Sequence, residues 1–160
     1  MEPDGVKKQM SDSIDALEKL IEKYPLVFKY METATYSFLP EWWYGLLDDT
    51  CNKIEPILKE SYDKYPPDED GIGFFRVEQI KEKMGTLRFD FSFHTKDKKA
   101  FEAVQDIVDR AELDSHDICE VTGKPGEICA AGMWFKTLSE EVRQHPDYKD
   151  YVPWTKDMHP

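Results

Sequence analysis

The chain has 160 residues, of which 40% are hydrophobic, so it is long and apolar enough for one domain with a buried core. Its 33 acidic and 21 basic side chains give a net charge of −12, which repels nucleic acid at long range and argues against direct nucleic-acid binding. Three cysteines, no signal-peptide pattern and no apolar run near the roughly 20 residues of a membrane span predict a cytoplasmic protein without a membrane partner.

Two amphipathic helices are predicted in the first part of the chain. The first follows a candidate N-cap at Ser11 or Asp12. Its apolar positions, at helical spacing, are Ile14, Leu17, Ile21 and Tyr24. The second runs from about Trp43, with an apolar stripe formed by Leu46, Leu47, Cys51, Ile54, Leu58 and Tyr62. The stripe continues past Pro56, which predicts one bent helix rather than two.

A β-hairpin is predicted after an exposed loop at 65–73, which contains two prolines, two glycines and three consecutive acids. Apolar residues then alternate with polar ones, as in a strand with one buried face. The alternating residues are Leu87, Phe89, Phe91 and Phe93. Gly85 lies where the chain must reverse, within KEKMG. A lone hairpin is marginal in water, so helices are expected to cover it, and a third strand is expected from residues 34–39 or 127–135.

The elements after the hairpin complete a prediction of the α+β class, with helices packed on a small antiparallel sheet. A helix within 96–113 directs one apolar face to that sheet, formed by Phe101, Val104, Ile107, Val108 and Ala111. Residues 1–145 are predicted to form one domain. The tail at 146–160 contains three prolines and has no periodicity, so it either docks on the domain or binds a partner.

The run VEQIKEKMGTLRFDFSF resembles the signature VxQIKEKFGxLRFYY of a family of small uncharacterised proteins of phages and prophages. The resemblance covers about residues 42–142. It includes a WxxLLDxLCxxIE-like helix before the hairpin, matched here by Trp43, Leu46, Leu47, Asp48, Cys51, Ile54 and Glu55. It implies a phage origin and a C-terminal zinc ribbon with two cysteine pairs, but it implies no activity.

The cysteine pairs of such a ribbon are mostly replaced in this chain. Of the four implied ligands only Cys119 remains, and the other three positions hold Thr122, Ser139 and Val142. Structural zinc is held by four Cys or His ligands. The sequence therefore predicts a degenerate, metal-free ribbon without a cofactor, held by packing of Trp134, Phe135 and Leu138. The alternative is a rescued zinc site with the ligands His116, Cys119, Cys129 and His145.

Acidic residues are concentrated between Glu102 and Glu127, where eight acids and two bases leave a charge of −6. The simplest interpretation is a solvated face. The alternative is a binding surface, because carboxylates at i, i+4 and i+7 of a helix lie about 5 to 6 Å apart along one edge, comparable to phosphates along a nucleic acid. The candidate partner-binding residues are Glu102, Asp106, Asp109, Glu112, Asp114 and Asp117.

We therefore predict a non-enzymatic interaction protein that acts in the host cytoplasm. Its expected partner is a host protein with a basic, nucleic-acid-binding surface, and it would inhibit an antiviral effector in the manner of anti-CRISPR proteins. The alternative is a structural or accessory phage protein, or a zinc-ribbon binding module. No catalytic motif is present in the sequence. Weaker candidates for partner contacts are the aromatic residues Trp42, Trp43, Tyr148, Tyr151 and Trp154.

Overall fold

The computed structural model describes residues 15–31 and 39–155. The described helices are α1 (15–23), α2 (Trp43–Lys64), α3 (Lys98–Ser115) and α4 (Glu140–Arg143). The strands are β1 (Phe75–Lys83), β2 (Thr86–Phe93), β3 (Glu127–Ala131), β4 (Trp134–Leu138) and β5 (Val152–Pro153). This confirms the predicted α+β class. The candidate N-caps Ser11 and Asp12 lie outside the described residues. No helix in the described ranges is both long and apolar enough to span a bilayer.

The predicted hairpin is confirmed as the antiparallel pair β1–β2. Its two-residue turn consists of Met84 and Gly85, whose φ angles of 53° and 79° are both positive, as the favoured type I′ hairpin turn requires. No third described strand joins this sheet. Residues 127–131 and 134–138 belong instead to a separate antiparallel sheet in the order β4–β3–β5, and residues 34–38 lie outside the described part.

The main core lies between α2, α3 and the inner face of the β1–β2 hairpin. The stripe predicted for α2 is confirmed at Leu47, Cys51, Ile54 and Leu58, which are fully buried, while Leu46 and Tyr62 are half-buried. The helix continues past Pro56 without interruption. On α3 the predicted face is confirmed at Val104, Val108 and Ala111, but Phe101 is 39% exposed. Phe101 lies in the first turn of α3, where its ring contacts Phe91 at a centroid distance of 6.1 Å.

A second, smaller core holds the ribbon, which we define as residues 117–155. It is formed by Cys119, Cys129, Leu138 and Val142, with Tyr148 and Tyr151 packed against it. The prediction that Trp134 packs in the ribbon is wrong, since 76% of its surface is exposed. Trp134 pairs with Ala131 at the far end of the β3–β4 hairpin, beyond this core. Leu138 is fully buried, as predicted.

The ribbon docks on the turn of the β1–β2 hairpin. The hydroxyl of Thr137, which is fully buried, donates a hydrogen bond of 2.7 Å to the carbonyl of Gly85. A side chain at Gly85 would place its Cβ 3.1 Å from the backbone of Lys136, so this close approach and the positive φ both favour glycine. The β1–β2 turn therefore positions the ribbon relative to the main core.

Candidate functional site

Three carboxylates form the acidic edge of α3, which we define as Glu102, Asp106 and Asp109. All three are exposed and follow the i, i+4, i+7 spacing that the sequence predicts. None of them forms an ion pair with any described residue. Asp109 accepts one hydrogen bond of 2.8 Å, from the amide of Gln105. The edge therefore presents unneutralised charge on a regular helix.

The remaining predicted acidic residues divide between surface and structure. Asp117 is exposed, and Asp114 is half-buried in the last turn of α3. Glu112 is also half-buried, and its Oε1 accepts a hydrogen bond of 2.9 Å from the backbone N–H of Phe89. Its other oxygen lies 4.0 Å from the guanidinium of Arg88. Glu112 therefore fastens α3 to β2 and contributes less to the exposed surface than the sequence predicts.

Glu120 was counted in the acidic segment but lies inside the ribbon. Only 7% of its side chain is exposed, and it pairs with Lys136 at 2.8 Å. Burial raises the pKa of the Glu120 carboxyl, and the hydrogen bond from Lys136 opposes that rise. Glu127 is also paired, with Arg143 at 3.2 Å. The net charge of −6 counted for residues 102–127 is therefore larger than the charge that this segment exposes.

A shallow groove of about 250 Å³ lies between β2 and α3, beside the acidic edge. Its lining combines apolar side chains with carboxylates and one amide. The lining residues are Phe89, Asp90, Phe91, Gln105, Val108, Asp109 and Glu112. Sequence reasoning missed this groove because it depends on how α3 is placed against the edge of β2. The only local signal was the i+3 spacing of Asp109 and Glu112 on the helix.

Two of the four positions that the resemblance assigns to zinc ligands, Cys119 and Val142, share the ribbon core. Burial raises the pKa of the Cys119 thiol, but hydrogen bonds from the Thr122 side chain and from the backbone of Ser139, Thr122 and Val121 outweigh burial and lower it. The hydroxyl of Ser139 in turn accepts the backbone N–H of Val142 at 3.3 Å. Cys119 is therefore the one thiol among the four positions.

The rescued zinc site is not formed. In the ranges that the structure describes, no three His, Cys, Asp or Glu side chains gather closely enough to hold a metal ion. Cys119 and Cys129 share the ribbon core, while His145 is exposed and its Nδ1 caps the backbone N–H of Asp147 at 3.2 Å. His116 ends α3 as its C-cap residue. The alternative ligand set therefore does not converge.

Most of the aromatic residues proposed for partner contacts form contacts within the protein instead. Trp43 is fully buried in the main core, so its assignment as a partner-binding residue is wrong. Trp42 is 49% exposed, but its indole N–H donates to the carbonyl of Val121. Tyr148 and Tyr151 are half-buried against the ribbon core.

The tail up to residue 155 docks on the ribbon, which answers the choice that the sequence left open. β5 pairs with β3, and the backbone N–H of Trp154 donates to the carbonyl of Ile128 at 2.9 Å. The Trp154 ring contacts Phe135 at a centroid distance of 6.4 Å. Trp154 in the tail therefore packs against the ribbon.

Comparison of the chain with protein-family models, with curated proteins and with solved structures finds no match.

Proposed function

We propose that the protein is a non-enzymatic interaction protein that binds a basic surface of a partner protein through the acidic edge of α3. The observation that carries this proposal is the set of three exposed carboxylates, Glu102, Asp106 and Asp109, without a basic partner among the described residues. Electrostatic complementarity between such charges and Lys or Arg of a partner gives specificity and speeds association.

The distribution of charge along α3 supports a role beyond helix stability. The helix dipole favours acids in the first turn and bases in the last turn, each by about 0.3 to 1 kcal/mol. α3 has the opposite arrangement, with Lys98 and Lys99 at its start and Glu112 and Asp114 near its end. Glu112 is explained by its hydrogen bond to β2. The dipole effect falls off within the first and last turns, so it does not account for Asp106 and Asp109 in the middle of the helix.

The acidic edge is also preorganised for binding. Asp97 caps the helix by accepting the backbone N–H of Ala100 at 3.1 Å, and Val104 and Val108 anchor the opposite face in the core. A helix held in this way loses little conformational entropy when a partner binds. Its spacing suits a surface that otherwise binds phosphates.

More specifically, we propose that this protein is of phage origin and acts in the cytoplasm of the host cell. There it would occupy the nucleic-acid-binding surface of an antiviral effector, as anti-CRISPR proteins do. The support is the acidic edge together with the resemblance of the hairpin run to phage proteins. A zinc-ribbon binding module has less support, because the described ligand positions offer one thiol.

The second candidate is a structural or accessory phage protein. The tip of the β3–β4 hairpin favours it, since Met133 is 92% exposed and Trp134 is 76% exposed. Neighbouring apolar side chains so exposed are typical of contact sites in assemblies. This tip is distant in sequence from the acidic edge, so variants can separate the two candidates.

The test is capture of partners from a host lysate with three tagged proteins. These are the wild type, the reversal Glu102→Lys, Asp106→Lys and Asp109→Lys, and a control reversal Asp68→Lys, Glu69→Lys and Asp70→Lys. The control changes the net charge equally on an exposed loop. We expect the wild type and the loop control to capture the same nucleic-acid-handling protein. Added DNA or RNA should then release that protein from both. Loss of capture in both reversals, or in neither, would contradict binding through the acidic edge.

A further inference from the structure

The groove between β2 and α3 lies beside the acidic edge and shares Asp109 with it. Its volume of about 250 Å³ lies below the roughly 300 to 1,000 Å³ of pockets that hold drug-sized ligands. A single side chain of a partner therefore suits it better than an organic cofactor.

The lining of the groove has two chemical parts. Phe91 is half-buried and offers part of its apolar surface, whereas Phe89 and Val108 are 2% and 1% exposed and offer almost none. Asp90 and Asp109 are exposed carboxylates on the strand and the helix that border it. Gln105 donates to Oδ1 of Asp109, so Oδ2 remains for an incoming donor as far as the described chain shows. An occupant must therefore combine an apolar stem with a cationic end.

We propose that the groove holds an arginine side chain of the basic partner. The planar guanidinium can donate hydrogen bonds to two carboxylates at once, here Asp90 and Asp109, and can stack on the aromatic ring of Phe91. A lysine ammonium is a compact charge that offers neither planar stacking nor a fork of donors. The inference rests on the proposed function, because the arginine belongs to the partner that the acidic edge binds.

The experiment is an NMR titration of the ¹⁵N-labelled full chain at physiological salt. The probes are three blocked tripeptides, Gly-Xaa-Gly, in which Xaa is arginine, lysine or the uncharged arginine analogue citrulline. We expect the arginine peptide to produce saturable shifts at the amides of 89–91 and 105–112. Loss of a hydrogen bond to a charged group costs a factor of about ten, so the citrulline peptide should bind at least about tenfold more weakly.

Two variants of the chain provide the matched comparison. Asp109→Asn should weaken binding of the arginine peptide about tenfold, because it removes a charged hydrogen bond in the groove. Asp68→Asn removes the same charge from the exposed loop and should change affinity less than about twofold, since exposed distant charges are screened at physiological salt. The inference would be overturned if the two variants changed the affinity equally. It would also be overturned if the arginine and lysine peptides gave equal shifts, or if no peptide gave a saturable shift.

The groove and the proposed function can fail separately. If the arginine peptide binds as expected but no basic protein is captured through the acidic edge, the proposed function is wrong and the groove remains an arginine site. If a partner is captured through the edge but Asp109→Asn leaves the arginine titration unchanged, only the groove inference is overturned.

Discussion

Trp42 and Val121 are 79 residues apart in sequence, and the indole N–H of Trp42 donates to the backbone carbonyl of Val121. The same indole ring lies directly against Gly123, where an added Cβ would come within 2.7 Å of it. This contact joins the start of α2 to the turn that carries Cys119. It therefore couples the ribbon to the main core at a second place, apart from the Thr137–Gly85 hydrogen bond.

The first prediction is that Gly123→Ala destabilises the protein by about 2 to 4 kcal/mol, as the sum of strain at a positive φ and overpacking against Trp42. Gly123 has φ +74°. Gly132→Ala is the matched control, because Gly132 has φ +62° but nothing within 4 Å of the added Cβ. It should cost only the strain, about 1 kcal/mol. Urea unfolding measures both, and equal losses would show that the Trp42 contact carries no energy.

Helix α2 and strand β2 were predictable from the sequence, because each follows one periodicity. The apolar stripe of α2 repeats with the helical period, and Leu87, Phe89 and Phe93 of β2 repeat every second residue and are buried. The turn was predictable because Gly85 marks a positive φ. The β4–β3–β5 sheet was not, since its strands are five residues or shorter and β5 is recruited from the tail.

The candidate site was predictable only in part, for a related reason. The acidic edge follows from helical spacing alone, so Glu102, Asp106 and Asp109 were found from sequence. The hydrogen bond between Glu112 and Phe89, which are 23 residues apart, depends on the packing of α3 against β2. The neighbouring groove depends on the same packing. The exposure of Trp134 was missed because a large aromatic residue is usually buried, and no local pattern shows where the ribbon core ends.

The second prediction concerns the Thr137–Gly85 hydrogen bond. Thr137→Val keeps the shape of the side chain but leaves the Gly85 carbonyl without its donor at a buried contact, which should cost about 1 to 3 kcal/mol. Thr50→Val is the control. Thr50 is also buried, but its hydroxyl bonds the carbonyl of Leu46 four residues earlier in the same helix, at 2.7 Å.

That Leu46 carbonyl keeps its helical hydrogen bond in the control, so Thr50→Val should cost less than about 0.5 kcal/mol. Urea unfolding of both variants gives the comparison. A loss for Thr137→Val no larger than for Thr50→Val would show that the ribbon docks mainly through other contacts.

The third prediction is a pH dependence at Asp48. The hydroxyl of Tyr24 donates to its carboxylate at 2.5 Å and Lys23 donates at 2.9 Å. These hydrogen bonds, that of Tyr24 first, lower the pKa of Asp48 below its ordinary value of 3.8. The folded state therefore favours the ionised form. The resulting stability is fully present above pH 3.8 and is lost as the pH falls through the lower folded-state pKa.

Asp48→Asn should therefore cost more stability at pH 7 than at pH 2. The loss at pH 7 should stay at or below about 1 kcal/mol, because the side chain is 39% exposed and solvent screens its charge. Asp49→Asn, at the exposed neighbouring position, is the control and should change stability by less than about 0.5 kcal/mol at either pH. Thermal unfolding across this pH range checks both. If Asp48→Asn loses the same stability at both pH values, the charged hydrogen bond is not the cause of that loss.

The fourth prediction is that the ribbon can be converted into a zinc site by three substitutions. The variant Thr122→Cys, Ser139→Cys and Val142→Cys would add three thiols next to Cys119. Burial raises the pKa of the Cys119 thiol, but hydrogen bonding by the Thr122 side chain and by the backbone of Ser139 and Val121 lowers it overall, which favours the thiolate that zinc requires. Four thiolates in one tight cluster are a structural zinc site. We expect one tightly bound zinc per chain by elemental analysis.

Zinc in the triple variant should raise the free energy of unfolding by several kcal/mol, since apparent binding energies in small zinc domains reach about 10 to 16 kcal/mol. The control adds Cys119→Ser to the same variant, which leaves three thiols and should weaken zinc binding strongly. Cobalt substitution provides a second readout, because tetrahedral thiolate ligation gives intense visible absorption. If the triple variant folds but binds neither metal, the four positions do not form a ligand set. The resemblance to a zinc-ribbon family would then have no counterpart in this part of the structure.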